Sequence, residues 1–116
     1  MKVINYKNIP PVALDNEAVK NIAGRVLIGK EDKAEHFCMR LFEMGPGGHT
    51  PEHSHDWEHE VFIHAGKGDV LIQDTRYPLE TGSAVLVPAN TIHQFRNTGD
   101  EALVFICLVP TGAPEL

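Results

Sequence analysis

The feature that most restricts the fold of this chain is the density of its turn signals. Apolar runs are short, at 26–28, 37–42, 61–63, 70–72, 84–87 and 103–109. Between them stand Gly29-Lys30-Glu31-Asp32, Gly45-Pro46-Gly47-Gly48, Gly66-Lys67-Gly68, Thr81-Gly82-Ser83 and Asn97-Thr98-Gly99-Asp100. Helical periodicity is weak throughout. Short apolar segments bounded by Gly, Asn and Asp predict strands joined by tight turns, hence an all-β antiparallel sandwich or barrel. Only residues 16–23 offer a brief helix, capped by Asn16. The segment 110–116, with two prolines and a glycine, is expected to leave the core.

The bulk composition narrows the function. At 116 residues the chain is expected to form a single domain over 1–116. Its 42% hydrophobic and 22% charged residues are ordinary for a globular protein. A net charge of −6, with no Lys/Arg-rich run, argues against a nucleic-acid partner. No stretch approaches the ~20 apolar residues of a membrane span, and the first residues lack a signal peptide's apolar run and cleavage site. Cys38 and Cys107 lie in apolar segments and form no CxxC pair. They read as buried, reduced thiols, and the expected location is cytoplasmic.

One constellation points to chemistry. His53 and His55 stand at i and i+2, so they project from one side of an extended strand. Glu60 follows them, and His93 comes from a separate segment. Together His53, His55, Glu60 and His93 would make a four-ligand shell for one divalent transition metal. Imidazole suits zinc, iron and nickel, and a carboxylate admits manganese and iron. Along 60–64, Glu60, Phe62 and His64 share one face and Val61 and Ile63 the other. With Glu60 inward, Phe62 would line the pocket, and His64 would lie ~13 Å along the strand, too far for the same ion. Phe62, Phe95 and His64 are therefore the candidate substrate-pocket residues. Trp57 is expected to pack at the barrel mouth, while His36, His49 and Glu58 read as solvated.

These residues resemble the cupin superfamily, whose members are small double-stranded β-helix barrels of jelly-roll form. The first cupin motif, G-x5-H-x-H-x3–4-E-x6-G, is met by Gly47, Gly48, His53, His55 and Glu60, with Gly66 and Gly68 each one residue off the closing position. The second, G-x5-P-x-G-x2-H-x3-N, is met in every spacing by Gly82, Pro88, His93 and Asn97. Asn90 stands where the motif has glycine, and Asn tolerates the left-handed conformation a turn there requires. The motif's shorter x3 spacing would select His59 instead of Glu60, giving a four-histidine site. Strand alternation keeps both from pointing inward without a bulge. The core motifs span 47–68 and 82–97.

The resemblance implies a fold and a metal, not a reaction. It implies a metal-dependent enzyme acting on a small oxygenated carboxylate or sugar derivative, of isomerase, decarboxylase or dioxygenase type. The alternative is a non-catalytic metal-dependent module that binds or senses a small ligand. Candidate acids and bases by residue type are His59, His64, Glu43 and Tyr77. The resemblance also implies a homodimer, with residues 3–6 or 26–28 supplying an edge.

Overall fold

A computed structural model describes residues 1–116. Nine strands account for most of it: β1 (Val12–Leu14), β2 (Lys20–Ile28), β3 (Phe37–His49), β4 (His59–Ala65), β5 (Gly68–Ile72), β6 (Thr75–Leu79), β7 (Ala84–Val87), β8 (His93–Asn97) and β9 (Leu103–Pro110). The only helical turns are 3₁₀ segments at Tyr6–Asn8 and Lys30–Asp32. No helix is long and apolar enough to cross a membrane. The all-β expectation holds.

Every strand pairing is antiparallel, in the order β6-β5-β8-β3-β9-β4-β7, with β2 and then β1 attached along β3. The long β3 makes the sheet curl. Its first part, 37–44, pairs with β9, and its end turns to meet β8 at His49↔Arg96. The result is an antiparallel barrel of jelly-roll form. Alternate residues of each strand fill its interior: Cys38, Phe42 and Met44 from β3, Val61 and Ile63 from β4, Leu103, Phe105, Cys107 and Val109 from β9.

Three local expectations change. Gly45-Pro46-Gly47-Gly48 lies inside β3 and is not a turn between strands. There β3 advances from Met44 to His49 while β2 advances only from Ile22 to Lys20, a bulge that bends the strand. Gly47 supplies the positive φ of 75° that the bulge requires. Residues 16–23 form no helix. The Asn16 side chain accepts hydrogen bonds from the Ala18 and Val19 amides at 2.8 and 3.1 Å, and β2 starts at once because Ile22 is drawn into the core. The segment 110–116 also stays on the body. Glu115 accepts the Lys30 amide at 2.8 Å, and Ala113 packs on the core.

Candidate metal centre

The segment 50–55 is stitched to β8 and carries its two histidines to His93. The His53 amide donates to the His93 carbonyl at 3.2 Å, and the His93 amide returns the bond to the His53 carbonyl at 2.9 Å. Phe95 N–H donates to the Thr50 hydroxyl at 2.8 Å. A second tie comes from the 88–91 turn, where the Asn90 amide reaches the His55 carbonyl at 2.6 Å. Asn90 holds φ 60°, the left-handed conformation expected of this position. Asn97 closes the following turn. Its amide nitrogen donates to the Met44 and Glu101 carbonyls, both at 2.8 Å, and its oxygen accepts the Gly99 amide at 2.9 Å.

His53, His55 and His93 converge so that one ring nitrogen of each lies within 4.8 Å of the others, a group that can hold a metal ion. The fourth side chain at this point is His59, not Glu60. His59 Nε2 lies 2.8 Å from His55 Nε2 and 3.1 Å from His93 Nε2. Glu60 is exposed on the outer face of β4, opposite Leu86 and Leu108. The reason is the strand's period of two. Val61 and Ile63, at 3% and 0% exposure, pair with Cys107 and Phe105 of the barrel interior, and His59 shares their face. Phe62 and His64 follow Glu60 outward and are exposed, so neither lines the interior. Phe95, two residues from His93, is buried there as expected.

In three of the four rings the other nitrogen also has a partner. His55 Nδ1 lies 2.8 Å from the Trp57 carbonyl and His93 Nδ1 lies 2.8 Å from the Thr91 carbonyl. A carbonyl only accepts, so each Nδ1 carries the proton and each Nε2 turns a lone pair to the centre. His59 Nδ1 sits 3.1 Å from Cys107 Sγ. Burial, then the neighbouring His93 and His55 rings and Arg40, hold the His59 pKa down to about 3. Burial and the same ring neighbours lower His53, and burial lowers His93 against a hydrogen bond to Thr91. Neutral imidazoles are the form that binds a metal.

The donor set therefore fits a divalent ion. The His59 nitrogen lies 2.8 and 3.1 Å from those of His55 and His93, close enough for the rings to share one ion. The tautomers held at His55 and His93 complete the fit.

The cluster opens on a cavity of about 570 Å³ walled by Phe42, Phe95, Phe105, Trp57 and Ile22 and edged by Leu116. Trp57 stacks on His55 with ring centroids 4.0 Å apart, so it bears on a candidate ligand directly. Arg40 of β3, which no sequence motif marked, also lines this space. Of the candidate acids and bases, only His59 does. Glu43 is engaged by Arg25, and Tyr77 and His64 face solvent.

Residues 40–109 match the cupin domain family model. Protein SchB of Streptomyces halstedii is 43% identical over 100 residues, covering 85% of this chain and 70% of that protein. The 1-methylthio-D-xylulose 5-phosphate methylsulfurylase of Rhodospirillum rubrum is 38% identical over 71 residues, or 61% of this chain, and the match spans only 46% of the enzyme. Among solved structures, the polyketide cyclase RemF from Streptomyces resistomycificus superposes with a TM-score of 0.90 at 26% identity, over 98% of this chain and 82% of that one.

Proposed function

The chain belongs to the cupin family, and from that premise we propose that it is a metal-dependent enzyme that activates a carbonyl of a small oxygenated metabolite. The observation that carries this reading is the convergence of His53, His55 and His93 at the wall of an apolar cavity, with His59 Nε2 at 2.8 and 3.1 Å from the Nε2 atoms of His55 and His93. The likeness to a polyketide cyclase over nearly the whole chain supports it, since cyclisation of a polycarbonyl chain acts on such carbonyls.

A divalent ion held by the four histidines would supply Lewis-acid polarisation of a carbonyl oxygen. The protein's own contribution is threefold. Four neutral imidazoles leave the ion's charge undiminished, where a Glu60 ligand would have cancelled part of it. The Thr91 and Trp57 carbonyls fix two of the rings in orientation and tautomer. The walls of Phe42, Phe95 and Phe105 exclude water and so strengthen every electrostatic interaction within the cavity.

The test pairs metal analysis with a proton-exchange assay. Protein purified without a metal-charged resin should contain, or take up, one equivalent of divalent transition metal, and His53→Ala/His93→Ala should not. In deuterated water the loaded protein should speed exchange of the α-protons of 1,3-dicarbonyl probes, and chelation should abolish this. Failure to bind any metal on reconstitution overturns the reading. Saturable probe binding without exchange or product would assign a non-catalytic binding module.

A further inference from the structure

The four arginines of the chain are not alike. Arg25 is paired with Glu43, and Arg76 and Arg96 both grip Asp69. Arg40 is the only buried one, at 9% exposure, and it is the one with no carboxylate partner. Its Nη2 donates to Cys107 Sγ at 2.8 Å, and its Cζ lies 5.0 Å from the centre of the Phe42 ring. Its buried Nε has no hydrogen-bond partner.

A guanidinium cannot shed its proton inside a protein, so this charge persists. A lone buried charge is unfavourable by several kcal/mol, and buried polar donors are normally satisfied. Cys107 offers it only a weak sulfur acceptor, and that contact leaves Nε unpaired. The side chains lining the cavity include Arg40 and the four histidines but neither Asp nor Glu. Around the cation stand the aromatic walls of Phe42, Phe95, Phe105 and Trp57. Such a space is complementary to a planar apolar body carrying one negative group.

We infer that Arg40 is the anion-recognising residue of this cavity, and that the substrate is a carboxylate on a flat, ring-sized apolar body. The inference takes the cavity to be the substrate site of the reading above, and adds the class of molecule it admits. The carboxylate would take charge-assisted hydrogen bonds from the guanidinium N–H groups that Cys107 leaves free. The Arg40–Cys107–His59 chain of contacts, at 2.8 and 3.1 Å, then places that anchor beside the histidine cluster. Arg40 thus orients the substrate and is a specificity residue.

The experiment compares 2-naphthoate with its neutral isostere 2-naphthamide, followed by the fluorescence of Trp57, the single tryptophan of the chain and part of the cavity wall. Wild type, Arg40→Met and Arg40→Lys are each measured metal-loaded and after chelation, with metal content determined on the same samples. Wild type should favour naphthoate by about 10–100-fold, the range for a hydrogen bond to a charged group. Arg40→Met should lose that preference while keeping naphthamide affinity and metal content, and Arg40→Lys should retain part of it. Equal binding of the two probes by wild type overturns the inference. So does a preference that survives in Arg40→Met, or one that vanishes on chelation, since the metal would then be the anion receptor. An Arg40-dependent preference in protein that takes up no metal keeps the inference while removing the enzymatic reading. Should Arg40→Met fail to fold, the wild-type and Arg40→Lys measurements decide.

Discussion

The choice between two adjacent residues offers the sharpest test of the site. His59 faces the cluster and Glu60 faces solvent, so Glu60→Gln should leave metal binding untouched while His59→Ala weakens it. The magnitude follows from linkage. A metal present at 1,000 times its dissociation constant stabilises the folded state by about 4.1 kcal/mol. For a domain of this size about 1 kcal/mol moves the midpoint by roughly 4 °C, so chelation should lower the wild-type Tm by about 16 °C. Removing a ligand is at least as damaging as removing a supporting group, which weakens metal affinity by about 10–100-fold. That corresponds to about 1.4–2.7 kcal/mol, so the chelator response of His59→Ala should shrink by roughly 6–11 °C. Thermal unfolding with and without chelator measures both variants in one experiment. A Glu60→Gln protein that loses its response, beside a His59→Ala protein that keeps it, would refute the strand-register reasoning.

Two further outcomes test the supports of the site. Asn97→Ala removes three hydrogen bonds and strands the Met44 carbonyl in the interior, so thermal unfolding should show a loss of about 2–3 kcal/mol; a loss under about 1 kcal/mol would show that the bonds are made by water instead. Asp69 joins β5 to β8 through Arg96 and to β6 through Arg76. The hydrogen bond from Arg96 holds its carboxyl below the usual carboxylate range. A depressed folded pKa means the stabilisation is complete above the unfolded value of about 3.9 and is lost as pH falls through the folded one. Asp69→Asn should therefore lower stability at neutral pH by only about 0.5–1 kcal/mol, because these side chains are partly exposed. The gap from wild type should close on acidification, and a gap that widened would contradict the assignment.

Much of this was legible in the residues, because strands advertise themselves locally. Turn chemistry and β-branched runs fixed β4, β5, β7 and β9, and the spacing of His53, His55 and His93 marked the cluster. The question of Glu60 against His59 was also answerable from the chain. Val61 and Ile63 gain roughly 1.5–3 kcal/mol each by burial, and the face they choose takes His59 inward with them. A metal-binding pattern that favours a carboxylate is weaker than that packing preference. The Gly45–Gly48 stretch was harder, since glycines signal a bulge within a strand and a turn between strands in the same way. Arg40 and Cys107 were invisible for another reason. They meet because β3 and β9 pair at Arg40↔Cys107, and no local pattern states which strands become neighbours.

The charge of the site gives these separate observations a common consequence. Replacing a carboxylate by His59 leaves the cluster neutral before any ion arrives, and Arg40 adds a fixed positive charge beside it. The protein as a whole carries −6, yet none of its acidic side chains lines the cavity. An anion approaching from solvent is therefore not attracted by the net charge, which at physiological salt is screened beyond about 8 Å. Its attraction develops only inside, where the aromatic walls lower the dielectric and the uncompensated guanidinium acts at short range. Such a site selects by what fits beside Arg40 and the histidines, not by collecting anions at the surface. The absence of a carboxylate from the cavity thus serves both halves of the reading: it preserves the Lewis acidity of a bound ion and leaves the positive charge free for the substrate.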